Sequence, residues 1–350
     1  MGKKVIFKSN STFAPYTEFT SFKEDYLKLE PDVFNNERDG YCFLSLNPVF
    51  CQFFVDDQPY FYYRHLDPDK NRFVGISKLG DGPLDYQKGG YTYQLAAPCK
   101  NDAIIPYHKI SDDPIAYGCG SYDGKMEIIY YTDHATVKES DILQLNFEYF
   151  PMTVIDHFNA WPNACVIYQA AKFTGTFEGK PIQGVGRCSH SYTIRKEKNI
   201  GFSMEYGNVN MNNELIGIRE DGRKEEVVID IIANGKVWAY YHLEGEEPVY
   251  ADEVEVEADW FKVPYLNDGT CIYKDIIFRF VGKEIHMTGK WGTKGFLGYP
   301  RFEKAGQVEI VGPWYEGSVP YRHRSYMSFN EVQDCYAKQL KELGFNVYEF

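Results

Sequence analysis

The sequence predicts an all-β protein built from antiparallel strands, and two observations support this. Tyr, Phe and Trp make up 17% of the 350 residues, a composition that favours pleated, half-buried surfaces over helices. Short apolar runs alternate with turn sequences at the spacing of hairpins rather than of alternating strands and helices. One hydrophobic core usually splits at this length, so two domains are expected.

The first half of the chain is predicted to form an N-terminal β domain over residues 1–155. A short helix is expected over 21–30, because Ser21 can cap it and Glu24 follows three residues later. From residue 41 onward, apolar runs are separated by turn sequences such as Asp-Gly and Gly-Gly. The strands predicted for this half are 41–46, 50–55, 60–64, 73–77, 91–95, 103–110, 126–131 and 143–149.

The second half is predicted to form a C-terminal β domain over residues 156–350. Hairpin turns are indicated at Asp221-Gly222 and Asn234-Gly235. A closing helix is predicted over 330–344, where Asn330 can cap it and Gly344 can end it. The predicted strands are 165–176, 182–192, 200–206, 215–218, 225–232, 236–243, 249–258, 272–280, 283–287, 307–311 and 319–329.

Two distant segments, 172–182 and 309–319, look like copies of one hairpin. Each contains an apolar or β-branched run that ends at a glycine, then an aromatic residue, then Glu-Gly. The matching glycines, Gly175 and Gly312, are 137 positions apart. This interval suits one small β domain, so a duplicated domain is expected. The alternative is that two unrelated Glu-Gly hairpins resemble each other by accident.

The net charge and the cysteines exclude several classes of protein. A formal charge of −13 repels phosphate backbones and anionic lipids, so neither nucleic acid nor a membrane surface is expected as a partner. The first residues lack an apolar stretch of signal-peptide length, and no run approaches the ~18 residues of a spanning helix, so a cytoplasmic location is expected. The eight cysteines form no Cys-x-x-Cys pair and are expected to be buried thiols, and no metal site is predicted.

The block 175–192 reads Gly-Thr-Phe-Glu-Gly-Lys-Pro-Ile-Gln-Gly-Val-Gly-Arg-Cys-Ser-His-Ser-Tyr. It resembles the middle signature of the tandem lipocalin-like (double calycin) superfamily, which contains carotenoid 1,2-hydratase, kievitone hydratase-like proteins and the lipocalin-like Diels-Alderases. The shared pattern is a hairpin, then Gly-x-Gly-x-x-x-His-Ser and an aromatic residue, here Tyr192. The resemblance covers about residues 165–345. It is incomplete at Cys188 and Tyr192, because related sequences often vary at these two positions or have Asp and Trp there.

The resemblance implies two lipocalin-like (calycin) halves, each an antiparallel barrel or sandwich, with a C-terminal helix. It further implies an apolar pocket in or between the halves, no organic cofactor, and a hydrophobic or aromatic small-molecule ligand. Some members of the superfamily hydrate, eliminate from, isomerise or cyclise such molecules.

His190 is the first candidate catalytic residue. Alternation along 182–192 places it on the same strand face as Ile182 and Cys188. An imidazole on an apolar face is disfavoured in its charged form, which makes it a candidate acid or base titrating near neutrality. The alternative is a core histidine hydrogen-bonded to a neighbour.

Further candidates lie on predicted strands and in the segment that joins the halves. Trp238, Tyr240 and His242 alternate on one strand, and an aromatic stripe of this kind is either core or the lining of a ligand site. Tyr206 and His242 are secondary catalytic candidates, and the remaining candidates for substrate binding are Phe202, Tyr192, Asp156, His157 and Trp161. The segment 156–162 is alternatively a linker anchored by its aromatic residues.

The sequence therefore predicts a cofactor-independent enzyme, a hydratase, lyase, isomerase or cyclase, acting on an apolar or aromatic small molecule. Two other classes stay open. A non-catalytic carrier would need the aromatic pocket but no acid or base, and a carbohydrate-active β protein would need two carboxylates in a polar groove. No oligomeric state is predicted.

Overall fold

The structure is a computed structural model that describes residues 2–9, 16–22, 24–27, 37–38, 41–46, 49–64, 74–78, 104–158, 164–195, 209–263, 268–288, 296–298, 307–311, 315–317 and 325–349. This part of the chain contains twenty-seven strands and two short helices, so the predicted all-β class is confirmed. No helix in it is both long enough and apolar enough to cross a membrane.

The chain divides into two compact units. Unit 1 comprises Met1–Pro15, Leu79–Gly90 and Asn199–Phe350, and unit 2 comprises Tyr16–Lys78 and Tyr91–Lys198. Each unit therefore contains segments from more than one part of the chain, whereas the sequence predicts a single domain boundary, between residues 155 and 156.

Unit 1 contains two sheets and one helix. Its strands are β1 (Lys3–Lys8), β16 (Asn210–Ile218), β17 (Lys224–Ile232), β18 (Val237–Leu243), β19 (Val249–Ala251), β20 (Glu253–Lys262), β21 (Cys271–Phe280), β22 (Lys283–Thr288), β23 (Phe296–Gly298), β24 (Gln307–Val311), β25 (Tyr315–Gly317), β26 (Tyr326–Gln333) and β27 (Asn346–Tyr348). The six-stranded sheet has the order β1-β20-β21-β22-β25, with β27 parallel to β20. The seven-stranded sheet has the order β19-β18-β17-β16-β26-β24-β23.

The core of unit 1 lies between these two sheets. Alternate residues of β17, such as Val227 and Ile229, belong to one buried cluster with Val254 and Val256 of β20. Period-two alternation of β-branched residues buries one face of each strand in this way. The predicted turn at Gly222 joins β16 to β17, with a φ of 85° that suits a residue without a Cβ.

Unit 2 is built on one antiparallel sheet of fourteen strands. They are β2 (Tyr16–Thr20), β3 (Glu37–Arg38), β4 (Tyr41–Leu46), β5 (Val49–Val55), β6 (Gln58–Arg64), β7 (Val74–Lys78), β8 (Ile104–Asp112), β9 (Ile115–Ser121), β10 (Met126–Tyr130), β11 (His134–Glu139), β12 (Leu143–Phe158), β13 (Ala164–Phe177), β14 (Lys180–Cys188) and β15 (His190–Arg195). The main order is β7-β6-β5-β14-β13-β12-β11-β10-β9-β8, and β15 pairs with both β13 and β4. Between β2 and β3 lies the short helix α1 (Glu24–Leu27).

Among the described strands of unit 2, the two end strands of the sheet, β7 and β8, do not pair with each other, so the sheet is not a closed barrel. The sheet nevertheless encloses a buried apolar cluster. Its members come from both ends of the order, for example Tyr62 and Ile76 of β6 and β7 and Tyr107 and Tyr117 of β8 and β9. The long strands β12 and β13 pair along most of their length, and the predicted boundary at residues 155 and 156 falls inside β12.

The predicted pair of matching hairpins is wrong. Glu178 and Gly179 form a tight turn between β13 and β14 with φ values of 50° and 76°. Glu316 and Gly317 instead lie within β25, which pairs with β22 of the six-stranded sheet. Strand β24, from the same segment, pairs with β26 of the seven-stranded sheet, so the likeness in sequence does not correspond to like places in the fold.

The closing helix is shorter than the predicted 330–344. Helix α2 spans Ala337–Glu342, and Asn330 lies in β26, which pairs on both sides, with β16 and with β24. Two hydrogen-bonded neighbours satisfy the backbone of β26 as a strand, and this tertiary pairing outweighs the local helical pattern. Gly344 follows the helix with a φ of 104°, as its predicted role as a stop requires.

Candidate functional site

His190 lies in the interior of unit 2. It is the first residue of β15, pairs with Ile167 of β13, and is 1% exposed. Ile182 and Cys188 of β14 are buried as well, in agreement with the predicted apolar face. Ser189 separates the two strands, so His190 is held where the sheet passes from β14 to β15.

His190 and three aromatic residues are called the His190 cluster: Phe22 and Tyr130, whose rings contact the imidazole, and Tyr149, whose ring contacts Phe22. The Tyr130 ring meets the imidazole edge-on, with ring centroids 4.6 Å apart. The Phe22 ring lies 5.7 Å from the imidazole and 5.0 Å from the Tyr149 ring. Phe22 therefore contacts both polar rings, and it comes from the segment just before helix α1.

Two buried polar atoms of the His190 cluster have no hydrogen-bond partner among the residues that the structure describes. Neither Nε2 of His190 nor the hydroxyl of Tyr149 has a hydrogen-bond partner in the described part of the chain. More than about 90% of buried polar groups in proteins are hydrogen-bonded, to protein or to ordered water. The two atoms are therefore candidate contacts for a bound molecule that carries its own hydrogen-bonding group.

The His190 cluster is uncharged at neutral pH. Burial lowers the pKa of His190 to about 3, from the ordinary 6.5, so the imidazole is neutral. Burial also raises the pKa of Tyr130 and of Tyr149 well above 10, so both phenols keep their protons. This pKa agrees with the expectation that the apolar face disfavours the charged imidazole, but it lies below the expected titration near neutrality, because burial removes water from the ring.

Unit 2 also contains a buried ion pair. The guanidinium of Arg64 binds the carboxylate of Glu139, with Nη2 2.5 Å from Oε2, and both side chains are at most 2% exposed. The hydroxyl of Tyr62 donates to Oε1 of Glu139 over 2.8 Å. This buried network was not predicted, since β6 and β11 are far apart in the sequence.

Trp238, Tyr240 and His242 lie in unit 1, on one face of β18, as the alternation predicted. All three are buried, and the Trp238 and Tyr240 ring centroids are 5.1 Å apart. The Tyr240 hydroxyl donates to Oε1 of Glu226 over 2.5 Å. Burial lowers the pKa of His242, against the opposing effect of Glu244 and a second nearby glutamate.

The remaining predicted site residues are only partly described. Asp156 is buried in β12 and His157 follows it there, so this stretch is strand within unit 2 rather than a linker. Tyr192 lies in β15, and Phe202, Tyr206 and Trp161 lie outside the described residues.

Tyr130, Tyr149 and Phe22 were not predicted as site residues. A partial signal exists for Tyr149, because it continues the alternation of Leu143, Leu145 and Phe147 on β12. That pattern shows which face is buried but not which strand lies opposite. Nowhere in the described ranges do three or more His, Cys, Asp or Glu side chains group as metal ligands.

Comparisons with known proteins give likenesses of fold at low identity. Kievitone hydratase from Nectria haematococca matches with a TM-score of 0.44 and 11% identity, over 95% of this chain and 98% of that chain. A protein assigned as AttH from Nitrosomonas europaea matches with a TM-score of 0.39 and 8% identity, over 88% of this chain and 97% of that chain. CghA with Sch210972 matches with a TM-score of 0.35 and 8% identity, over 94% and 98%.

No protein-family model matches the sequence, and no curated protein matches it.

Proposed function

We propose that unit 2 binds an apolar or aromatic small molecule that carries a carbonyl or hydroxyl oxygen, and that the chain converts it without an organic cofactor. Nε2 of His190 and the hydroxyl of Tyr149 support this most directly, because both are buried, neutral and unpartnered among the described residues. Hydration, elimination, isomerisation and cyclisation are the reaction types that this arrangement suits.

The chemistry follows from the protonation states. The Tyr149 phenol keeps its proton and can donate it in a hydrogen bond to the substrate oxygen. The neutral imidazole can donate or accept, according to its tautomer. Negative charge that develops on the substrate oxygen would be stabilised by these groups in a water-poor interior, where such hydrogen bonds are strongest.

The low pKa of His190 also makes it a weak base. A base with a pKa near 3 takes a proton from carbon only weakly, so His190 acts mainly by polarising the substrate oxygen. Negative charge on that oxygen would favour the imidazolium and raise the pKa of His190 during the reaction. The main role proposed for His190 is therefore electrostatic stabilisation of the substrate oxygen, and proton transfer is a secondary role.

Ligand screening and two conservative variants test the proposal. Terpenoid, polyketide and flavonoid compounds should raise the melting temperature by mass action, whereas oligosaccharides should not. For a compound that is converted, His190→Gln and Tyr149→Phe should each lower kcat about 10²- to 10³-fold, the usual effect of losing one such donor. Tyr60→Phe is the matched control, since Tyr60 packs against Phe53 and Phe177 outside the His190 cluster.

The outcomes separate the three function classes. A compound that binds equally well to parent and variants and is never converted would favour a carrier. Stabilisation by oligosaccharides alone would favour the carbohydrate-active class. Turnover within about twofold of the parent in both variants would remove His190 and Tyr149 from the mechanism, since loss of one such donor usually costs far more.

A further inference from the structure

A second group of buried polar side chains lies in the core of unit 1, where the two sheets meet. Asn213 comes from β16 of the seven-stranded sheet, and Trp260 and Tyr273 come from β20 and β21 of the six-stranded sheet. The Tyr273 hydroxyl donates to Oδ1 of Asn213 over 2.9 Å. The Trp260 ring meets the Tyr273 ring edge-on, with centroids 5.5 Å apart, so Tyr273 links the other two side chains.

Two hydrogen-bond donors of this group have no acceptor among the described residues. Nδ2 of Asn213 and Nε1 of Trp260 are buried without a partner in the described ranges, on residues that are 1% and 0% exposed. The indole N–H can only donate. Turning the Asn213 amide over would exchange its two atoms and leave the other one without a partner.

The same core supplies acceptors elsewhere. Glu225 accepts from the Tyr241 hydroxyl at 2.5 Å through Oε1 and from the Tyr326 hydroxyl at 2.6 Å through Oε2. Both oxygens of this buried carboxylate are therefore used. A buried donor left without an acceptor costs about 1–3 kcal/mol. Because no described residue accepts from Asn213 Nδ2 or Trp260 Nε1, these two donors are candidate contacts for an acceptor on a bound molecule.

We propose that unit 1 contains a second binding site, in which Asn213 and Trp260 donate to the carbonyl oxygen of a neutral, apolar molecule. Two donors from different strands select an acceptor oxygen. The core around them is apolar and aromatic, with Phe345 packed edge-on to Trp260 at 5.9 Å, and this favours a neutral ligand over a carboxylate. The site is independent of the reaction proposed for unit 2.

Nuclear magnetic resonance of the Trp260 indole N–H tests this proposal directly. The chain has five tryptophans, and Trp260→Phe identifies the signal of Trp260 by its loss. The probe is acetophenone, and ethylbenzene is its match in shape without an acceptor oxygen. Acetophenone should shift the Trp260 signal saturably, and ethylbenzene should not.

Two variants make the test specific. Asn213→Leu should weaken the acetophenone Kd read from the Trp260 signal about two- to tenfold, which is the effect of one hydrogen bond. If that variant does not fold, Asn213→Leu combined with Tyr273→Phe removes the phenol that would be left without an acceptor. His190→Gln should leave the shift unchanged, which keeps this result separate from the one for unit 2.

Three results would overturn the proposal. The first is the absence of a saturable shift of the Trp260 signal with acetophenone. The second is an equal shift with ethylbenzene, which would show that no acceptor is recognised. The third is a magnetisation transfer from water to the Trp260 N–H that acetophenone does not displace, because a bound water would then be the missing acceptor.

Discussion

The low pKa of His190 makes the stability of the protein depend on pH in a way that one substitution can isolate. The folded protein holds the pKa of His190 at about 3, whereas an unfolded chain has it near 6.5. Between these two values the unfolded state binds more protons, so the free energy of unfolding falls as the pH falls from 6.5 towards 3. The full difference corresponds to about 5 kcal/mol.

The variant His190→Gln removes this contribution while keeping an amide of similar size. Urea unfolding, followed by far-ultraviolet circular dichroism, would be measured for parent and variant at pH 7 and at pH 4.5. The stability of the parent relative to the variant should fall by about 2.5 kcal/mol between these two conditions. Other titrating groups, His242 among them, are present in both proteins and cancel in the comparison.

His108→Gln is the matched control, because His108 is an exposed histidine on β8 of the same unit. As a substitution at an exposed position, it should change the stability at pH 7 by no more than about 0.5 kcal/mol. A His190 ring signal that titrates near pH 6.5 in the parent would refute the reasoning, and so would a relative stability that changes by less than about 0.5 kcal/mol. Either result would mean that water or an acidic group reaches the imidazole.

Three further perturbations have defined outcomes. Glu139→Gln breaks the buried pair with Arg64 and should lower the free energy of unfolding in urea by about 3–5 kcal/mol. The control Glu148→Gln breaks an exposed pair and should lower it by at most about 1 kcal/mol. Equal losses in the two variants would contradict the burial of the first pair. Gly217→Ala would place a Cβ 2.0 Å from ring atoms of Tyr326 and should lower stability by about 1–3 kcal/mol, so an unchanged melting temperature would count against that contact. Dialysis against a chelator should leave the melting temperature and any ligand-induced shift unchanged, and loss of a stoichiometric metal together with loss of binding would disprove this.

Local sequence signals predicted the strands and turns of this fold better than its long-range pairing. The alternation around His190 and the turn at Gly222 are local features, and the structure has both. The strand that holds Asn330 reads locally as a helix, because its two neighbours are far away in the sequence. The Glu-Gly at 316 reads as a turn, yet pairing with β22 makes it part of a strand.

The candidate site was predictable only in part, for the same reason. His190 could be placed on a buried face from the sequence, but its neighbours Phe22, Tyr130 and Tyr149 come from three other segments. Sequence shows that each of these residues is apolar or aromatic and in phase with a core. It cannot show that Nε2 of His190 and the hydroxyl of Tyr149 have no partner among the described residues, since that depends on the pairing of strands.

The packing of Phe22 has a consequence for the rate at which ligands arrive. Its ring contacts both His190 and Tyr149, and the neighbouring Leu27 carbonyl is held by the Tyr107 hydroxyl at 3.1 Å. For a ligand that enters past Phe22, this ring has to move before the ligand can reach both polar atoms. The observed association rate of such a ligand should reach a plateau at high ligand concentration, and the plateau equals the rate at which Phe22 moves. Above that concentration a motion of the protein, and not the supply of ligand, limits binding.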